Sequence, residues 1–88
     1  MRKEMELAYK RLPKMLTTFG FKKAYIRING DIASIVVCEQ TRPLTLQEWG
    51  DFETMIKLDI ARNVSIIAKE QQDNLDSYLL IKGSEING

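Results

Sequence analysis

Cys38 is the only thiol in the chain, and the chain contains no histidine. A cysteine nucleophile is normally activated by a neighbouring base, and a structural zinc site needs several cysteine or histidine ligands. Cys38 instead closes the apolar run at 35–38, and free cysteine is among the residue types most often buried. The sequence therefore predicts a buried structural Cys38, no zinc site and no disulfide within the chain.

Carboxylates form two groups that could perform acid–base chemistry or bind a divalent cation. Glu48, Asp51 and Glu53 lie at a predicted helix start, where carboxylates also stabilise the helix dipole. Asp73 and Asp76 share a loop without the pattern of a calcium loop. The five glycines form no phosphate-binding motif. We therefore expect no catalytic residue, no metal and no cofactor, and an enzyme with a carboxylate site is the third hypothesis.

Basic residues are concentrated in the first half of the chain. Up to Pro43 there are nine basic and four acidic residues, whereas the remainder has four basic and eight acidic residues. Basic side chains can contact phosphates, and a tyrosine beside an arginine on a strand can stack on a base. The second hypothesis is therefore a nucleic-acid-binding module, with these candidate residues: Lys10, Arg11, Lys14, Lys22, Lys23, Tyr25 and Arg27.

Apolar residues without an obvious place in the core indicate the leading hypothesis, a non-enzymatic protein-binding module. On the second predicted helix, Met55, Leu58 and Ala61 form a strip opposite the core-facing side, bordered by Arg62. Tyr78 and Leu80 lie in a short apolar strand that could form a sheet edge and pair with another chain. We expect self-association into a homodimer or higher oligomer, docking on a protein partner, or both, through these residues: Met55, Leu58, Arg62, Tyr78 and Leu80.

Length and composition favour one small domain. The chain has 88 residues, a net charge of +1, 44% hydrophobic and 28% charged residues, values typical of a globular domain. We predict a single domain over residues 1–83 and a frayed tail at 84–88. No signal peptide or membrane segment is recognisable, so the expected location is the cytoplasm, without a membrane partner.

The first half of the chain predicts a helix and a hairpin. Apolar spacing favours a helix over about 3–19, and Gly20 suits the position after its end. Pro13 either kinks this helix or begins a new one. Asn29-Gly30 predicts a hairpin turn. A two-residue turn would place Ile26 opposite Ala33. A three-residue loop would place Ile28 opposite Ile32, and we favour this register.

The second half leaves one alternative open. Thr45 and Glu48 form a capping box that predicts a helix start, with the core-facing stripe Leu46, Trp49, Phe52, Ile56, Ile60 and Val64. Residues 64–67 favour a strand, with Asn63 ending the helix in a left-handed conformation and a last strand at 77–82. The rival is a long helix to about residue 73. The expected fold is a two-layer α+β sandwich, α-β-β-α-β-β or α-β-β-α-β, with an antiparallel sheet and helices on one face.

Overall fold

A computed structural model describes residues 3–71 and 74–84. Two helices and four strands follow one another along the chain. They are α1 (Lys3–Phe19), β1 (Phe21–Asn29), β2 (Ile32–Gln40), α2 (Leu46–Asp59), β3 (Asn63–Ala68) and β4 (Leu79–Lys82), with a short 3-10 helix, Lys69–Gln71, after β3. The strand order in the sheet is β3-β2-β1-β4, and both helices pack on the same face. The predicted α+β class with helices on one face is confirmed.

The first helix runs through Pro13 without a break. Of the two predicted alternatives, a new helix beginning at Pro13 is therefore wrong. The carbonyl of Pro13 accepts a hydrogen bond from the Thr17 hydroxyl and another from the Ser84 backbone N–H. Gly20 follows the helix with φ of +84°, the left-handed conformation predicted for it. Pro13 thus lies where α1 meets the end of β4.

The hairpin register differs from both predicted registers. Ile28 pairs with Ala33 and Asn29 with Ile32, so the two turn residues are Gly30 and Asp31. Gly30 has a positive φ of +66°, whereas Asn29 and Asp31 do not. A glycine with positive φ at the first central position is the pattern of a type II′ turn. The Asn29-Gly30 motif therefore located the hairpin correctly, but the turn begins one residue later than predicted.

The second helix begins as predicted and ends early. The Thr45 hydroxyl accepts from the Glu48 backbone N–H, and the Glu48 carboxylate accepts from the Thr45 N–H. The helix ends at Asp59, so the long helix to residue 73 is wrong, because the β-branched residues that follow form β3. Asn63 is the first residue of β3 and is not left-handed, so its predicted role as helix terminator is also wrong.

The sheet is mixed rather than antiparallel. β1 pairs antiparallel with β2 and β4, but β3 pairs parallel with β2. The cause is the connection: α2 carries the chain back along the sheet, and a helical crossover of this kind joins parallel strands. The last strand covers Leu79–Lys82 and is shorter than predicted, with Tyr78 directly before it.

The core lies between the two helices and the sheet. The Phe52 ring packs between Phe19 and Phe21, with ring centroids 5.1 and 5.5 Å away. The predicted burial of Leu46 and the predicted exposure of Ala61 are both wrong. Leu46 is 91% exposed because it begins the helix beyond the edge of the core, and Ala61, predicted on the outer strip, is buried.

Ser84 is held by hydrogen bonds to α1, since its carbonyl also accepts from the Thr17 hydroxyl at 2.9 Å. The rest of the predicted tail lies outside the described residues. Within the described part of the chain, no helix is long and apolar enough to cross a membrane.

Candidate interaction surfaces

A groove runs between α1 and α2 on the outside of the helix layer. Its apolar lining comes from Met15 of α1, which is almost fully buried in the core, and from Met55 of α2, which is exposed. The Arg11 guanidinium and the Asp59 carboxylate bridge the two helices at 3.4 Å. The remaining lining residues are polar or basic: Lys10, Lys14 and Thr18. The groove therefore brings together Met55 from the predicted protein interface and three basic residues from the predicted nucleic-acid surface.

Leu58 and Arg62 extend this surface beyond the groove. Leu58 is 80% exposed and lies three residues after Met55, on the same side of α2. Arg62 is exposed in the connection between α2 and β3. Met55 itself is 37% exposed, so its side chain is accessible from the groove. The accessibility predicted for these three residues agrees with their positions.

The face of the sheet opposite the helices carries the other predicted residues. Across the four strands, Ile67, Val36, Tyr25 and Leu80 are aligned by the strand register in one row. Val36 is fully buried, Tyr25 and Ile67 are half-buried, and Leu80 is 41% exposed. Neither α1 nor α2 covers this face. Tyr25 and Arg27 therefore lie on the side of the sheet away from the helices, but this side is partly covered, because Val36 and Cys38 on it are buried.

Arg27 is already engaged within the chain. Its guanidinium carbon lies 4.9 Å from the centroid of the Tyr78 ring, and its Nη1 donates to the Ser77 hydroxyl at 3.3 Å. Both partners belong to the connection that leads into β4. The contact has a sufficient structural explanation, since it attaches this connection to the sheet. Tyr78 and Arg27 thus form one contact, although they were predicted for two different surfaces.

The structure divides the predicted nucleic-acid residues between two sides of the molecule. Lys10, Arg11 and Lys14 lie on the helix layer. Lys23, Tyr25 and Arg27 occupy alternate positions of β1 on the opposite face of the sheet. Lys22 is exposed near the junction with β4. The sequence prediction of one basic surface is therefore wrong, because the alternation of β1 directs these side chains away from the helices.

Cys38 is buried, as predicted, but on the sheet face opposite the helices. Burial raises the pKa of its thiol above the ordinary value, although the ammonium groups of Lys69 and Lys23 partly oppose this effect. A raised pKa reduces the thiolate fraction, and the thiolate is the reactive form. Cys38 therefore has the environment of a structural cysteine rather than that of a nucleophile.

The carboxylates at the start of α2 each have a structural partner. Glu48 accepts from Arg42 at 2.8 Å, Asp51 accepts from Gln47, and Glu53 pairs with Lys57. The hydrogen bond from Arg42, followed by that from the Thr45 N–H, lowers the pKa of Glu48. Asp73 lies outside the described residues, and Asp76 is exposed. Among the described residues, no group of three or more potential metal ligands is present.

The two edge strands differ in length and charge. β4, which contains the predicted residue Leu80, has four residues and includes Lys82. β3 has six residues, Asn63–Ala68, and no charged residue or proline. The β-branched residues at 64–67 predict a strand, but their types alone do not indicate an interaction edge. The missing information was the parallel pairing of β3, which places it at the outside of the sheet.

Comparisons with protein families, with curated proteins and with solved structures found no match to this chain.

Proposed function

We propose that this chain is a small non-enzymatic protein-binding module whose main binding surface is the groove between α1 and α2. The observation that carries the proposal is the exposed apolar pair Met55 and Leu58 on α2, next to a groove bordered by Lys10, Arg11 and Lys14. Methionine adapts its shape to different partners and is common at binding surfaces. Leu58 beside the groove adds apolar area that the domain does not bury itself.

The chemistry of the groove favours an acidic amphipathic helix as the partner. An amphipathic helix laid along the groove would pack its apolar side chains on Met55 and Leu58. Among the described residues that line the groove, Asp59 alone is acidic, and it is already paired with Arg11. Acidic groups on the partner would therefore meet Lys10 and Lys14, which favours association at low ionic strength.

The test is a titration with a synthetic helical peptide that has leucines on one face and glutamates on the other. The variant Leu58→Glu is expected to weaken binding about tenfold. It places a negative charge in the apolar contact with the peptide, which is itself acidic. Leu46→Glu is the matched control, because Leu46 is also an exposed leucine of α2 but lies at the opposite end of the helix from Met55 and Leu58. Its affinity for the peptide should equal that of the wild type.

Two further peptides make the test specific. A peptide of the same composition with scrambled leucine positions should bind at least tenfold more weakly, because it has no continuous apolar face. A peptide with lysines in place of the glutamates should also bind more weakly. The proposal fails if all three peptides bind equally, or if Leu46→Glu and Leu58→Glu have the same effect.

A second candidate function is binding of single-stranded nucleic acid on the sheet face opposite the helices. It is favoured by Tyr25, Arg27 and Lys23 on alternate positions of β1, a pattern suited to stacking and phosphate contacts. Titration with a generic oligonucleotide should then give binding that weakens with salt and is lost in Tyr25→Ala. Lys10→Ala, on the other side of the molecule, is the control. Absence of binding at low salt would eliminate this candidate.

A further inference from the structure

The ion pair between Arg11 and Asp59 joins α1 to α2 within the groove and is loosely made. Nη1 of Arg11 lies 3.4 Å from Oδ1 of Asp59, and the two side chains are 46% and 39% exposed. Charge-assisted hydrogen bonds are shorter, about 2.7–2.9 Å. The ion pair between Arg42 and Glu48 has this length, 2.8 Å. The Arg11–Asp59 contact is therefore the weaker of the two, and a ligand in the groove can reach both of its charged groups.

The stability of the fold gives little reason for a carboxylate at position 59. Asp59 is the last residue of α2, where the negative end of the helix dipole disfavours a carboxylate. An exposed ion pair also contributes little to stability. Among the described residues that line the groove, the other charged ones are all basic: Lys10, Arg11 and Lys14. The main effect of Asp59 is therefore to lower the positive charge of the binding surface.

We propose that Asp59 is an autoinhibitory residue whose carboxylate occupies the Arg11 guanidinium until an acidic side chain of the ligand replaces it. This inference rests on the proposed function, because it assigns a means of regulation to the same groove. Lys10 and Lys14 attract the acidic ligand, and Arg11 becomes available once its contact with Asp59 breaks. The released Asp59 carboxylate remains in contact with water, so the exchange leaves no buried charge unpaired.

The variant Asp59→Asn tests this competition, because asparagine has nearly the same shape and carries no charge. Its affinity for the acidic amphipathic peptide should rise about two- to fivefold, since Arg11 is available from the start. Glu48→Gln is the matched control. It also removes a carboxylate of α2 that pairs with an arginine, but neither Glu48 nor Arg42 lines the groove. The proposal is overturned if Asp59→Asn gives no increase, or if Glu48→Gln gives an equal one.

A second peptide shows whether the increase depends on carboxylates of the ligand. This peptide has glutamines in place of the glutamates and keeps the leucine face. Its affinity should be the same for the wild type and for Asp59→Asn, because it has no charged group to pair with Arg11. The increase seen with the acidic peptide should also diminish at high salt. Equal increases for the two peptides would mean that the substitution acts through shape or apolar contact, and would contradict autoinhibition.

The ion pair is also tested without any peptide, by nuclear magnetic resonance relaxation of the Arg11 side chain. Arg11 should be more mobile in Asp59→Asn than in the wild type, and the acidic peptide should restrict it again in the variant. Equal mobility in the two free proteins overturns this inference and leaves the proposed function intact. Peptide binding by the wild type without a gain in Asp59→Asn has the same meaning. If neither protein binds the peptide, the proposed function and this inference both fail.

Discussion

At the scale of single residues, the environment of Cys38 explains why a lone thiol need not imply chemistry. Its side chain is buried on the sheet face opposite the helices, and its sulfur lies 3.7 Å from the Val36 carbonyl oxygen. Desolvation outweighs the two nearby lysines and raises the pKa of the thiol. Both the burial and the protonation of the Cys38 thiol therefore oppose its reaction with an electrophile.

Alkylation of Cys38 is accordingly expected to be slow in the folded protein. At neutral pH, iodoacetamide should react about a hundredfold or more slowly with native protein than with urea-unfolded protein, because the thiol must first be exposed and ionised. Mass spectrometry of the modified chain measures both rates, and Cys38→Ser provides the unreactive control. Equal rates in the two states would show that the thiol is accessible and would reopen the enzyme hypothesis.

Two glycines should respond to alanine in opposite directions. Gly20 has a positive φ, and an added Cβ would lie 2.9 Å from the Thr41 hydroxyl oxygen, so Gly20→Ala should reduce the free energy of unfolding by about 1–2 kcal/mol. Gly50 lies inside α2 with open space around its Cα, so Gly50→Ala should add about 0.5–1 kcal/mol. Urea denaturation measures both changes. A stabilising Gly20→Ala would contradict the described link between α1 and β1.

At the scale of elements, the start of α2 combines several local interactions. Arg42 connects it to α1, since this guanidinium donates both to the Glu48 carboxylate and to the Thr18 carbonyl. The capping box satisfies backbone N–H groups that a helix start otherwise leaves unpaired. The same residues therefore fix the beginning of α2 and its position beside α1, and with it the width of the groove.

Removal of the cap should destabilise the domain. Thr45→Ala is expected to lower the free energy of unfolding by about 1 kcal/mol, because the Glu48 N–H loses its acceptor. Gln47→Ala, on the same turn but outside the cap, should have a smaller effect. Thermal or urea denaturation provides the measurement. Equal losses for the two variants would contradict a specific role of the cap.

Glu48 should make this stabilisation dependent on pH. Its pKa is lowered in the folded state, so its contribution is present above the ordinary glutamate pKa of about 4.3 and is lost as pH falls through the lowered value. The difference in stability between the wild type and Glu48→Gln should therefore be present near neutral pH and diminish in acid. A difference that grows as pH falls would contradict the lowered pKa.

At the scale of the whole molecule, the sequence predicted the class and the layer arrangement but not the sheet topology. The capping box and the amphipathic spacing of α1 depend on neighbours a few residues apart, so both could be derived from the sequence. The parallel pairing of β3 depends on how α2 crosses the sheet, and the hairpin register depends on which residue takes positive φ. Neither is determined by local residue types alone.

The candidate surfaces show the same limit. The exposure of Leu58 followed from the periodicity of α2, and the placement of Tyr25 beside Arg27 followed from strand alternation. The division of the basic residues between two sides of the molecule could not be predicted in this way, because that requires knowing which face of β1 the helices cover. The groove joins residues from α1 and α2 that are separated by about half the chain.

The central claim is that a protein ligand binds in the groove between α1 and α2. Chemical-shift mapping of isotope-labelled protein during titration with the acidic amphipathic peptide tests it most directly. We expect the largest changes at Arg11, Met55 and Leu58, with little change at Tyr25 and Arg27 across the sheet. Changes confined to Tyr25 and Arg27, or a spectrum unaffected by the peptide but altered by an oligonucleotide, would contradict the proposed protein-binding function.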